Sequence, residues 1–273
     1  MHATYFADQL RVMAALDDTA ATDRVLDAFQ KVPREAFTGP GPWKLRSSLV
    51  DLSLPPQQTP NADPRWLYHC VLVVLDEEKG INIGDPALWV RLLTQADIAP
   101  GSRILQVGAG VGYYTAILSV LAGAKGKVTA YEVEAALAER AASNLTDWGN
   151  IEMRHGNAAT DLNDTGVFDF VVSFAGVTHV PTAWATRLAP NARLLLPLTG
   201  ANWWGAMILA QQSDQGFDAV TLGRCGFYPC DGARSDALAA QVTSLFSKPA
   251  HLNGWRFRMR HDSGDIRFEA RTG

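Results

Sequence analysis

The sequence has few cysteines, little charge and no long apolar run. Its three cysteines, Cys70, Cys225 and Cys230, are an odd and sparse set in 273 residues, which argues against a secreted disulfide scaffold. No C-x-x-C pair or Cys/His cluster has zinc spacing, so no metal ligands are expected. No apolar stretch reaches the roughly 20 residues that span a bilayer, so no membrane association is expected. Met1 to Asp8 lack a basic region followed by an apolar one, and a cytoplasmic location is the expectation. A net charge of −4 offers no general attraction to nucleic acid. What is present, 47% hydrophobic and 19% charged residues, is the composition of a folded chain.

Apolar spacing predicts helix over residues 5–31, with Leu10, Val12, Met13, Leu16, Val25, Leu26 and Phe29 as the apolar positions. Seven prolines between Val32 and Pro64 then rule out a long helix. Trp43, Leu45, Leu49, Leu52 and Leu54 mark this stretch as a connection folded back on the core rather than a free linker. From Pro86 the pattern alternates: helix 86–97, strand 103–107, helix 113–121, strand 127–133, helix 134–148, strand 151–155, strand 167–173, helix 181–188 and strand 192–197. That pitch predicts an α/β fold with a Rossmann-like, doubly wound, mostly parallel sheet. Residues 203–211 and 219–228 read as an antiparallel hairpin ending the sheet, followed by helix 235–246 and a terminal hairpin, 255–260 with 266–271. The expected division is residues 1–85 as N-terminal helices and a lid-like segment, 86–212 as the cofactor core, and 213–273 as the strands, helix and tail that complete the same domain.

The central motif is Val107-Gly108-Ala109-Gly110-Val111-Gly112-Tyr113, a buried strand running through a glycine turn into a helix. Such a turn brings backbone N–H groups and a helix N-terminus close to a ligand. The spacing is G-x-G-x-G, whereas a pyrophosphate-binding dinucleotide site uses G-x-G-x-x-G. S-Adenosylmethionine (SAM) carries no phosphate and fits the shorter spacing. Glu132 ends the next strand, twenty residues after Gly112. A carboxylate there can accept from both ribose hydroxyls, in a dinucleotide as well as in SAM; a solvated strand-end charge is the other reading. Asn157, after the third strand, either pairs with an adenine edge or makes a plain turn.

These residues, with Arg24–Phe29, Val32-Pro33-Arg34-Glu35-Ala36-Phe37, Pro100–Gly108 and Arg193–Leu198, resemble the protein-L-isoaspartate O-methyltransferase family over roughly residues 20–200. The resemblance implies a class I SAM methyltransferase fold, SAM as cofactor, and methyl transfer to the carboxylate of damaged aspartyl residues. It also assigns Ile83, Gln106, Val107, Gly108, Ala109, Gly110, Gly112, Tyr113, Glu132, Val133, Asn157, Ala158 and Ala175 to the cofactor site. The sequence departs from the family at the acceptor segment. A Thr-Ile-Ser-x-Pro-like stretch is here Asn82-Ile83-Gly84-Asp85-Pro86, without either hydroxyl, and residues 39–80 form a long insertion. The missing hydroxyls predict weak or absent turnover of isoaspartyl peptides. The insertion is predicted to be a lid whose aromatics, Trp43, Trp66 and Tyr68, shape the acceptor pocket.

A carboxylate acceptor needs no base at neutral pH, because its pKa is near 4. A phenol, amine or amide acceptor does need one, and Asp85 and His179 are the candidate catalytic residues. Asp85 reads equally as the N-cap of the following helix. Three functions stay open: an O-methyltransferase of isoaspartyl type acting on a carboxylate or hydroxyl of a protein, peptide or small molecule, a nicotinamide-dependent oxidoreductase, and a non-catalytic SAM-binding protein. Trp255–His261 alternates apolar and basic residues, as a nucleic-acid strip or an edge strand would; the edge strand is the reading adopted.

Overall fold

The computed structural model describes residues 2–48, 54–162, 166–262 and 265–270. Leu49, Leu52, Ser263, Gly264 and Arg271 lie outside the described residues. The predicted N-terminal helix is two: α1 (His2–Met13) and α2 (Ala20–Lys31). Ala15 turns the chain at φ +49°, and Thr19 opens α2 by accepting a 3.1 Å bond from the Thr22 N–H. Phe6, Leu10, Val25, Leu26 and Phe29 are buried, whereas Val12 and Met13 face solvent.

After the single turn α3 (Glu35–Thr38), the insertion builds strands β1 (Lys44–Arg46), β2 (Gln57–Gln58), β3 (Leu72–Asp76) and β4 (Ile81–Ile83). They form an antiparallel sheet in the order β2-β1-β3-β4. Arg34, fully buried, fastens the returning chain to the helices. Its guanidinium donates to the carbonyls of Leu67 (2.6 Å), His69 (3.1 Å) and Val71 (2.7 Å). A buried cation thereby satisfies three carbonyls that no strand pairs.

The core alternates as predicted: α4 (Pro86–Ala96), β5 (Arg103–Val107), α5 (Tyr113–Ala122), β6 (Lys127–Glu132), α6 (Ala135–Asn144), β7 (Ile151–His155), β8 (Phe168–Ser173), α7 (Thr182–Ala185) and β9 (Leu188–Thr199). Strands β10 (Trp204–Ser213) and β11 (Gly216–Gly226), helix α8 (Asp236–Leu245), and strands β12 (Asn253–Asp262) and β13 (Asp265–Ala270) complete it. Among the described residues the main sheet runs β13-β12-β11-β10-β9-β8-β5-β6-β7. Strands β5 to β9 are parallel and the rest antiparallel. Alternate residues of the central strands feed two cores. Ile104, Val172 and Leu195 pack toward α1, α2, α4 and α5, and Leu105, Val171 and Leu194 toward the opposite face, as continuous apolar strands covered on both sides require.

Two expectations change. Helix α7 is one turn because β9 already begins at Leu188, paired with Phe168. The β10–β11 hairpin does not end the sheet, and β12 is not its edge: β12 pairs with β11 and β13, burying Phe257 and Met259 while Arg258 pairs with Asp218.

Candidate active site

Strands β5 and β8 are neighbours, yet the chain leaves them in opposite directions, toward β6 and toward β9. Ligands in open α/β sheets bind at the carboxyl ends of strands at such a switch point. The glycine loop sits there. Gly108 and Ala109 both donate to the Tyr131 carbonyl at 2.9 Å, tying the loop to β6. Gly110 has φ +58°, and a Cβ built there meets no atom within 4 Å; conformation, not crowding, demands the glycine. At Gly112, φ +92°, a Cβ would come within 2.8 Å of Leu145 Cδ1, so close packing on the end of α6 demands it.

Glu132 is buried, with 6% of its surface exposed. Its carboxylate accepts from the N–H of Gly110 at 2.7 Å and of Glu134 at 3.1 Å. Burial pushes its pKa above the ordinary carboxylate value, and backbone N–H groups of Glu134, Gly110 and Val133 oppose the shift. The loop and the acid are therefore one hydrogen-bonded unit.

A cleft of about 860 Å³ opens in front of this unit. It brings together Ile83, Asp85, Val107, Gly108, Ala109, Gly110, Tyr113, Glu132, Val133, Asn157, Ala158 and Ala175 of the sequence-predicted residues. Gln106, Gly112 and His179 do not line it. Gln106 is fully buried in β5, and neither side-chain polar atom has a hydrogen-bond partner among the described residues. His179 lies 3.1 Å from the Thr178 hydroxyl, which accepts the Ser235 N–H at the start of α8. The Asn157 side-chain oxygen Oδ1 accepts the Ala159 N–H at 2.8 Å, a turn geometry, although the residue still lines the cleft.

The opposite wall comes from β4 and its continuation. Asp85 caps α4, accepting the Ala87 N–H at 2.8 Å, and its other oxygen accepts from the Ser48 hydroxyl. Gly84 is fixed by packing: a Cβ there would lie 2.8 Å from Trp89 Nε1, and Trp89 is stacked on Phe174 with centroids 3.8 Å apart. A side chain at position 84 would therefore require the Trp89 indole to shift. Arg46 and Ser48 of the insertion line the cleft, whereas Trp43, Trp66 and Tyr68 do not. Trp43 and Tyr68 are buried, the Tyr68 hydroxyl donating to Glu35 at 2.5 Å. The insertion therefore walls the cleft with its sheet and not with these aromatics. Cys225 and Cys230 also line the cleft; burial pushes the Cys230 thiol up to about 12 and Cys225 higher, so both stay protonated and non-nucleophilic at neutral pH.

Sequence reasoning missed Trp89 and Phe174, and also Trp203, Trp204, Arg224 and Tyr228 at the outer end of the cleft. The available signal was a Trp-Trp pair placed at a turn, where packing demands neither ring.

Sheet order, glycine loop and buried acid define a class I, SAM-dependent methyltransferase. A sequence model described as protein-L-isoaspartate(D-aspartate) O-methyltransferase matches residues 8–234, and the chain belongs to that family. It is 32% identical over 201 residues to protein-L-isoaspartate O-methyltransferase 1 of Rhodopseudomonas palustris (strain HaA2), covering 72% of this chain and 71% of the relative. The Roseiflexus sp. (strain RS-1) protein-L-isoaspartate O-methyltransferase is 31% identical over 216 residues, 78% and 86% of the two chains. A solved protein-L-isoaspartate O-methyltransferase shares the fold with TM-score 0.66 at 17% identity, over 99% of this chain and 88% of that one. A Plasmodium falciparum structure, described as of the same type and in complex with S-adenosyl-L-homocysteine (SAH), gives 0.61 at 19%, over 85% and 98%. Family membership sets aside the nicotinamide-dependent alternative and the non-catalytic one.

Proposed function

We propose that the chain methylates a carboxylate of a protein or peptide acceptor, of isoaspartyl type. SAM supplies an activated methyl group. Residues 107–111, Glu132, Val133, Ala158 and Ala175 fit that cofactor: the loop is open on the cleft side at Gly110, and Glu132 is held against it. Trp89 and Phe174, stacked on each other, give the cleft an apolar lining there.

The observation that carries the acceptor reading is the state of Asp85. Both its oxygens accept hydrogen bonds, from Ala87 and Ser48, so it positions the wall rather than removing a proton. His179 lies outside the cleft lining. An acceptor already ionised at neutral pH suits such a site. Ser48 brings a hydroxyl to the wall from the insertion, supplying what positions 82 and 84 lack, and this favours turnover of isoaspartyl peptides.

The division along the chain follows the same lines. Residues 1–85 serve the acceptor side, 86–212 the cofactor, and 213–273 complete the sheet and the cleft mouth. Among the described residues no helix is long and apolar enough to cross a membrane. The three unpaired cysteines favour a reducing compartment, the cytoplasm.

The test is transfer of labelled methyl from SAM to an isoaspartyl peptide and to its aspartyl counterpart. Label should enter the isoaspartyl peptide as a base-labile ester, and Ser48→Ala should raise KM while leaving SAH affinity unchanged. Base-stable label, or none, would sink the proposal.

A further inference from the structure

The outer end of the cleft carries a cluster that the proposed chemistry does not use. Trp203, Trp204, Arg224 and Tyr228 line it, and the three aromatic side chains are 48%, 43% and 45% exposed. The rings of Trp203 and Tyr228 lie 5.4 Å apart, and the Arg224 guanidinium sits 4.6 Å from the centre of the Trp204 ring. We propose that this rim is an acceptor subsite that receives an aromatic side chain close in sequence to the carboxylate being methylated. The proposal rests on the peptide-carboxylate reading above and narrows it.

The turn that carries the rim is braced by hydrogen bonds from several segments. Trp203 closes a turn in which its N–H donates to Gly200 at 3.1 Å and Gly200 donates back to Trp204 at 2.9 Å. Arg234 braces that turn from behind, donating to the carbonyls of Gly176 (3.1 Å), Thr199 (3.3 Å) and Gly200 (2.7 Å) and to the Thr199 hydroxyl (2.8 Å). From α8, the Thr243 hydroxyl accepts the Ala201 N–H at 2.9 Å. Trp203 itself has φ +65°, a left-handed conformation that is costly for a bulky residue. Folding gains little from a large ring held there half in water. Binding gains from it, because a preorganised aromatic loses little entropy when a partner arrives.

The rim is also continuous with both working walls. Trp204 lies over Gly226, where a Cβ would meet its ring at 3.1 Å. The Tyr228 hydroxyl abuts Gly80, where a Cβ would run into it, in the turn that leads to Asn82 and Asp85. The rim therefore adjoins the wall that carries Asn82 and Asp85. The chemistry of the rim is a stacking platform beside a cation, which favours the face of an aromatic ring. Its exposure to solvent covers a ligand on one side only. That suits a side chain whose peptide continues over the surface better than a free small molecule, which pockets enclose.

The experiment measures peptide binding to the protein–SAH complex by calorimetry, in parallel with methyl transfer. Two isoaspartyl peptides differ only by Tyr or Ala, scanned over two positions on either side of the isoaspartate. The Tyr peptide should bind about tenfold more tightly at one of these positions. Trp203→Ala and Tyr228→Ala should each largely abolish that ratio with SAH affinity unchanged, and Trp203→Phe should retain it. Equal affinities in the parent protein, or no binding of either peptide, would overturn the subsite. So would a free tyrosine derivative that binds as well as the Tyr peptide. Preferential binding of the Tyr peptide without ester formation would uphold the subsite and refute the carboxylate acceptor instead.

Discussion

The proposed cofactor side of the cleft comes mainly from one stretch, Val107–Val133, closed by Asn157, Ala158 and Ala175. The proposed acceptor side is gathered from β1, from β4 and its continuation, from the turn before β10, and from residues 224–231. The first is held by backbone hydrogen bonds between adjacent elements, such as the Tyr131 carbonyl to the loop. The second depends on two arginines, Arg34 and Arg234, whose guanidiniums donate mainly to backbone carbonyls of other segments. A local device tolerates change elsewhere in the chain. An assembled one concentrates its stability in a few long-range contacts, so the two sides should break differently.

The largest effect is expected from Arg34→Ala. It removes the side-chain donor from the carbonyls of Leu67, His69 and Val71, of which His69 keeps the Val71 N–H, and should lower stability by about 3–5 kcal/mol, read from urea unfolding. Binding of SAH to the molecules that remain folded should fall far less than binding of an isoaspartyl peptide. Equal losses of both would erase the distinction between the two sides.

Glu132→Ala attacks the cofactor side and should weaken SAM binding by about 1.5–3 kcal/mol with stability little reduced. Stability against pH sharpens the point. Burial raises the folded pKa of Glu132 above its ordinary 4.5. Its favourable contribution is therefore full below the unfolded value and is lost as pH rises through the folded one. Glu132→Gln should accordingly make the ligand-free protein at least as stable as the parent at pH 7, and flatten its loss of stability above about pH 4.5, while weakening SAH binding. A variant that is less stable at pH 7 would show that the acid is kept for the fold.

The smallest of these effects is that of Gly84→Ser, which restores a hydroxyl to the acceptor wall. The new Cβ must displace the Trp89 indole from Phe174, and a loss of about 1–3 kcal/mol is expected in thermal unfolding. Because the wall already has the Ser48 hydroxyl, kcat for an isoaspartyl peptide should not rise. A faster, equally stable variant would mean that position 84 is open to a side chain after all.

The sequence by itself determined the glycine turn, the acid that follows it and the parallel sheet that carries them. Val107 to Tyr113 encode strand, turn and helix in seven consecutive residues, and one β-α-β unit fixes where Glu132 returns. Periodicity likewise set the parallel core, but not the break at Ala15, where a capping threonine restarts the helix, nor the extension of the sheet through β12 and β13. The acceptor side was decided by tertiary structure. Ser48 meets Asp85 across 37 positions, and Arg34 reaches the Val71 carbonyl across another 37. Tyr228, just after β11, meets Gly80 across 148 positions. The physical reason is range. Turn geometry and hydrophobic period are properties of neighbouring residues, whereas a wall built from side chains on separate strands exists only once the chain has brought those strands together.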